Sequence, residues 1–194
     1  GMLEGGKKTH QRASFVMNNL WYMASQYEGT AAASRAITLR AYTPSAWAGV
    51  EPASRVQVML YNKGYVTVKI GEVTKRVKSE KAVMNTITFN DVGSMNDTVI
   101  QILSGNNVRA IGDISCLYIG YSDFSYATKL RSLTIGSTAT GYSNANLTSI
   151  GFGTNPMLEE LYIQNCPNAV QTLDLKGCQA LATLDIRGSG FTGV

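Results

Sequence analysis

A mainly β chain of the α+β kind is expected. An N-terminal helix and a small antiparallel β-domain fill residues 9–92, and a short leucine-rich repeat solenoid fills 98–194. Three observations carry this expectation. Apolar residues recur at helical spacing near the start, and the middle alternates apolar and polar residues between turn signals. The C-terminal third then writes one motif repeatedly: Leu130-Arg-Ser-Leu133-Thr-Ile135, Leu158-Glu-Glu-Leu161-Tyr-Ile163 and Leu181-Ala-Thr-Leu184-Asp-Ile186. Such a unit cannot enclose a core alone and must stack on its neighbours.

The helix is read over Thr9 to Tyr27. Thr9 supplies an N-cap, and Val16, Leu20, Met23 and Tyr27 fall on one face of a 3.6-residue period. Ala36 to Tyr42 reads as a first strand. Pro44 and Gly49 to Pro52 then mark a loop. Val56, Val58 and Leu60 alternate with Arg55, Gln57 and Met59. After a turn at Tyr61 to Gly64, Val66, Val68 and Ile70 alternate with Thr67 and Lys69. This reads as a hairpin inside a meander that ends at Val83 to Phe89. Lys69, Lys75 and Lys78 are expected on its wet face.

Thr98 to Leu103 opens the second half. Secondary segments Leu147 to Phe152 and Val170 to Leu175 alternate with the principal repeats, and Leu158 to Leu181 spans 23 residues. That period lies within the roughly 20–29 of leucine-rich repeats. Asn155, Asn165 and Gly177 follow strands, where left-handed backbone angles are expected. Cys166 and Cys178 follow strands at matched offsets and read as small buried corner residues. The last residues, Phe191 to Val194, stop within a repeat with no polar cap, and Gly1 reads as a tag remnant. A piece of a longer protein is therefore expected.

Composition narrows the function. With 44% apolar and 15% charged residues the chain should fold. Residues 1–97 carry a charge of +5 and residues 98–194 a charge of −1. The cations are scattered, so nucleic-acid binding is not expected. Three cysteines without a C-x-x-C pair suggest neither a disulfide framework nor a zinc site. No apolar run reaches the roughly 20 residues that cross a bilayer. The single histidine, His10, has no partner in the sequence, and no hydrolase, metalloprotease or P-loop pattern occurs. Asp174 and Asp185 sit half a unit apart and read as solvent-facing. Asn96-Asp-Thr98 and Asn146-Leu-Thr148 match the glycosylation tripeptide only at chance level. No enzyme and no cofactor is expected.

The principal strands should place Ser132, Thr134, Glu160, Tyr162, Gln164, Thr183, Asp185 and Arg187 on one outward face. That polar row with a single aromatic is the candidate contact surface.

The pattern Leu158-Glu-Glu-Leu161-Tyr-Ile163-Gln-Asn-Cys166-Pro-Asn, followed by Leu173-Asp-Leu175-Lys-Gly-Cys178, resembles surface leucine-rich repeat proteins of gut Bacteroidetes. Together with Ser94 to Thr98, Ile119 to Leu130 and Tyr142 to Leu147, it is still more similar to large tail and baseplate proteins of gut bacteriophages. The resemblance implies a non-enzymatic structural and binding module of a tail-like assembly, or else a cell-surface adhesin. It further implies protein partners, or a host-surface protein or glycan, and a place on a virion or cell surface.

Overall fold

The computed structural model describes residues 36–43, 54–62, 64–93, 95–114 and 118–194. The helix expected at Thr9–Tyr27 lies outside these residues. Twelve strands are described: β1 (Ile37–Tyr42), β2 (Ser54–Leu60), β3 (Tyr65–Ile70), β4 (Val73–Lys78), β5 (Met84–Phe89) and β6 (Thr98–Leu103) come first. A single 3-10 turn at Gly105–Asn107 precedes β7 (Val108–Ile114), β8 (Tyr118–Asp123), β9 (Ser132–Gly136), β10 (Ile150–Gly151), β11 (Glu160–Gln164) and β12 (Thr183–Asp185).

The strands form two six-stranded sheets, ordered β10-β8-β1-β6-β3-β4 and β12-β11-β9-β7-β2-β5. Mainly β is correct. The expected antiparallel β-domain followed by a leucine-rich repeat solenoid is not: the twelve described strands lie in two mixed sheets. In the first sheet β8 pairs antiparallel with β1 and parallel with β10. In the second, β7 pairs antiparallel with β2 and parallel with β9. Each sheet therefore runs unbroken from antiparallel strands into repeat strands. The physical reason is that β7 and β8 each offer a free edge, and a strand edge is a template for the next strand.

One apolar core lies between the sheets. Ile37, Leu39, Val68 and Ile102 of the first sheet face Val56, Val58, Phe89 and Val108 of the second, all 2% exposed or less. The same cluster continues through Leu130, Leu133, Leu147, Leu158, Leu161 and Ile163. Each such side chain contributes about 1.5–3 kcal/mol by leaving water. The rings of Phe124 and Phe152 stack from one repeat to the next, 5.8 Å apart.

Two local expectations change. Val56–Leu60 and Val66–Ile70 do not form a hairpin. The turn after Leu60 carries the chain from one sheet to the other, so β2 pairs with β5 and β3 with β4. Alternation fixes which face is buried but not which strand is the partner. Lys75 is also not on the wet face. It shares a face with the partly buried Val73 and Val77 and lays its Nζ 5.5 Å from the centre of the Phe89 ring, closing the sheet edge.

The repeat corners are held by side-chain amides. Asn155 is fully buried, and its Nδ2 donates to the carbonyls of Phe124 and Ala127 at 2.9 and 3.1 Å. Asn165 has the expected left-handed φ of 54° and donates to Ser137 O. Gly177 is required for a different reason: a Cβ there would sit 1.6 Å from Gly153 O. Cys166 and Cys178 are buried, free thiols, and burial pushes Cys166 up to about 11.

Candidate contact face

Strands β9, β11 and β12 form an in-register parallel ladder. Ser132 lies beside Glu160 and Glu160 beside Thr183; in the next outward row Thr134, Tyr162 and Asp185 are aligned. Leu133, Leu161 and Leu184 occupy the alternate positions and point to the core side, so the pleat itself sorts the two sets. Leu184 is 37% exposed because it lies on the last strand of the sheet.

Seven of the eight expected contact residues are exposed or half-buried. Thr134, Glu160, Thr183 and Arg187 are exposed, while Ser132, Tyr162 and Asp185 are half-buried. Gln164 differs: it is buried, sits opposite Gly136, and its Nε2 donates to Asp185 Oδ2 at 2.9 Å. Its work is to orient Asp185. Gly136 allows this close approach, since a Cβ there would fall 1.9 Å from Gln164 O.

Asp185 is the most constrained polar group of the face. Arg187 donates to both of its carboxylate oxygens, with Nε at 2.9 and 3.1 Å and a terminal nitrogen at 2.8 Å. The Arg187 backbone N–H adds a bond at 3.2 Å. These donations, the Arg187 side chain first, hold the Asp185 carboxyl down to about 2. Ser132 Oγ donates more weakly to Glu160 at 3.4 Å. One position earlier, Arg131 reaches both oxygens of Glu159 at 3.0 Å across adjacent strands. The result is a polar surface on which an arginine holds each of the Asp185 and Glu159 carboxylates, with Tyr162 on the middle strand of the three.

Three neighbours of this face were not legible in the sequence. Because β7 joins β9 to β2, the outward residues Gln57 and Met59 of β2 and Met84 of β5 extend the same surface. Gly112 lies between, with Gln57 Oε1 and Cβ and Met84 Cε around the place its Cβ would take. At the other end of β7, Lys129 and Arg109 stand 4.8 and 5.8 Å from the centre of the Tyr61 ring. Only the alternation of β2 and β5 hinted at any of this.

Asp174 is exposed and accepts from the Lys176 backbone N–H, well apart from the Asp185 row. His10 and Cys116 lie outside the described residues. Among the described residues, no group of three His, Cys, Asp or Glu side chains is placed to hold a metal. No helix among them is long and apolar enough to cross a membrane. Compared with known proteins, the chain matches no family model, no curated protein and no solved structure.

Proposed function

We propose that this chain is a non-enzymatic binding and structural module of a larger tail-like assembly. It engages a protein or surface glycan through the outward face of β9, β11 and β12. The observation that carries this reading is the aligned row Thr134, Tyr162 and Asp185 beside the row Ser132, Glu160 and Thr183. A rigid aromatic among polar groups that are already oriented is a favourable contact surface. Little side-chain entropy is lost when such groups meet a partner. The resemblance of the repeats to tail and baseplate proteins of gut phages supports the assembly, and a virion or cell surface is the corresponding location.

The experiment is affinity capture by the immobilised chain of proteins from its source particle and of a panel of host-surface glycans. Binding is then compared for Tyr162→Ala, Arg187→Ala and Tyr121→Ala. Tyr121 is 46% exposed on the opposite sheet and serves as the control. The first two substitutions should weaken binding about tenfold or more, as truncating a central anchor does, and Tyr121→Ala should not. Loss confined to Tyr121→Ala would move the contact to the other sheet.

A further inference from the structure

The second sheet has a split in it. β7 and β9 pair through Ala110 and Ser132, with the Arg131 N–H donating to Arg109 O, and their ladder holds no further residue pair. Past that point the strands diverge around a cavity of about 160 Å³. Its floor is Leu39 and Phe124, its sides are Ile114 and Ile135, and Gly112 and Thr134 form its outer lip. Thr134 belongs to the contact row, so the cleft leads from that face into the apolar core.

We propose that this cleft is an anchor pocket for one aromatic side chain projecting from an extended segment of a protein partner. The size fits a single ring, since an engineered apolar cavity of about 150 Å³ holds one benzene. The walls suit it as well. Phe124 lies in the floor and Tyr142 in a wall, and ring pairs in offset or edge-on contact gain beyond the area they bury. Burial first, then the neighbouring Cys166 and Tyr118, push the half-buried Tyr142 phenol up to about 12. Among the polar wall groups, which include the Thr134 and Tyr142 hydroxyls, Asn144 is already occupied: its Nδ2 donates to Ile119 O and its Oδ1 accepts from the Asn146 N–H. It therefore asks nothing of the occupant. The facing backbone edges of β7 and β9 would hydrogen-bond an extended segment carrying the ring, as strand addition does.

This inference rests on the contact-face reading for the partner's position, but the pocket is tested without the partner. The full chain, with isoleucine, leucine and valine methyls labelled for NMR, is titrated with indole and with N-acetyl-tryptophan amide. Saturable shifts should appear at Ile111, Ile114, Ile119, Leu133 and Ile135 and be absent from Val66 and Val68 across the core. Thr134→Trp, at an exposed position and with its fold checked by circular dichroism, should abolish them by covering the lip. Tyr121→Ala, 46% exposed on the opposite sheet, should leave them unchanged. Absence of saturable shifts at these methyls, or their survival in Thr134→Trp, would overturn the pocket. Failure of the face reading would show separately, as partner binding indifferent to Tyr162→Ala.

Discussion

The side-chain amide of Gln171 closes both backbone groups of Ile150. Its Oε1 accepts from the Ile150 N–H at 2.9 Å and its Nε2 donates to the Ile150 carbonyl at 2.9 Å. A side chain thus takes the place of a strand partner at the edge of β10. The next repeat is then picked up by main-chain bonds, Leu173 N–H to Gly193 O among them.

Replacing Gln171 with Leu keeps the bulk and removes both bonds. Two part-buried backbone groups lose their partners, at about 1–3 kcal/mol for a group left unmade. Urea unfolding should show a lower midpoint with an unchanged slope. A midpoint equal to the parent's would mean that water serves Ile150 equally well.

Asn155 should be less replaceable still. Asn155→Ala leaves the Gly153 N–H without its partner in a buried corner and takes one of two donors from each of the Phe124 and Ala127 carbonyls, which keep the Ala127 and Leu130 N–H groups. The expected loss is about 1–3 kcal/mol. Asn155→Asp removes the donors and adds a buried charge, so it should be worse at neutral pH than in acid. Calorimetry at the two pH values reads the difference directly.

Gly177→Ala tests the close passage of successive repeats. The added methyl meets the Gly153 carbonyl at 1.6 Å, which no side-chain rotation relieves. Severe destabilisation is expected, whereas Gly141→Ala, which meets no neighbour within 4 Å, should suffer only the strain of its φ of 81°. Comparing the soluble yields and melting temperatures of the two variants separates crowding from backbone strain.

Asp185 predicts a pH dependence with a definite sign. Its carboxyl is held from the ordinary 3.8 down to about 2, so the folded chain binds this proton less tightly than the unfolded one. The stability it contributes is complete above about pH 4. It is lost as pH falls through about 2. The carboxyl carbon of Asp185 should titrate near 2 by NMR, and Arg187→Ala should return the midpoint toward 3.8.

What the sequence disclosed is the part governed by local periodicity. Leu130, Leu133, Leu158 and Leu161 are buried where the repeat puts them, and Val56, Val58, Val66 and Val68 where alternation does. What it hid depends on partners distant in the chain. Val170, aligned by the motif as an inward anchor, is 63% exposed, and Ala169 takes the buried place. A shift of one position costs the spacing pattern nothing but reverses the face. Lys75 looked solvated because charge was visible and its cover over Phe89 was not. The continuation of the repeats into the antiparallel sheets rests on the edges of β7 and β8, and an edge leaves no mark in composition. Within the candidate face, the outward alternation was legible, but the burial of Gln164 against Asp185 was not, because it depends on register between strands 21 residues apart.

Hydroxyl-radical footprinting of the chain within its native assembly reads the contact face most directly. Tyr162 should be protected relative to the isolated chain, while Tyr121 and Tyr126, 46% and 47% exposed away from the Tyr162 row, stay as reactive as before. Protection of Tyr121 or Tyr126 with Tyr162 unchanged would contradict it.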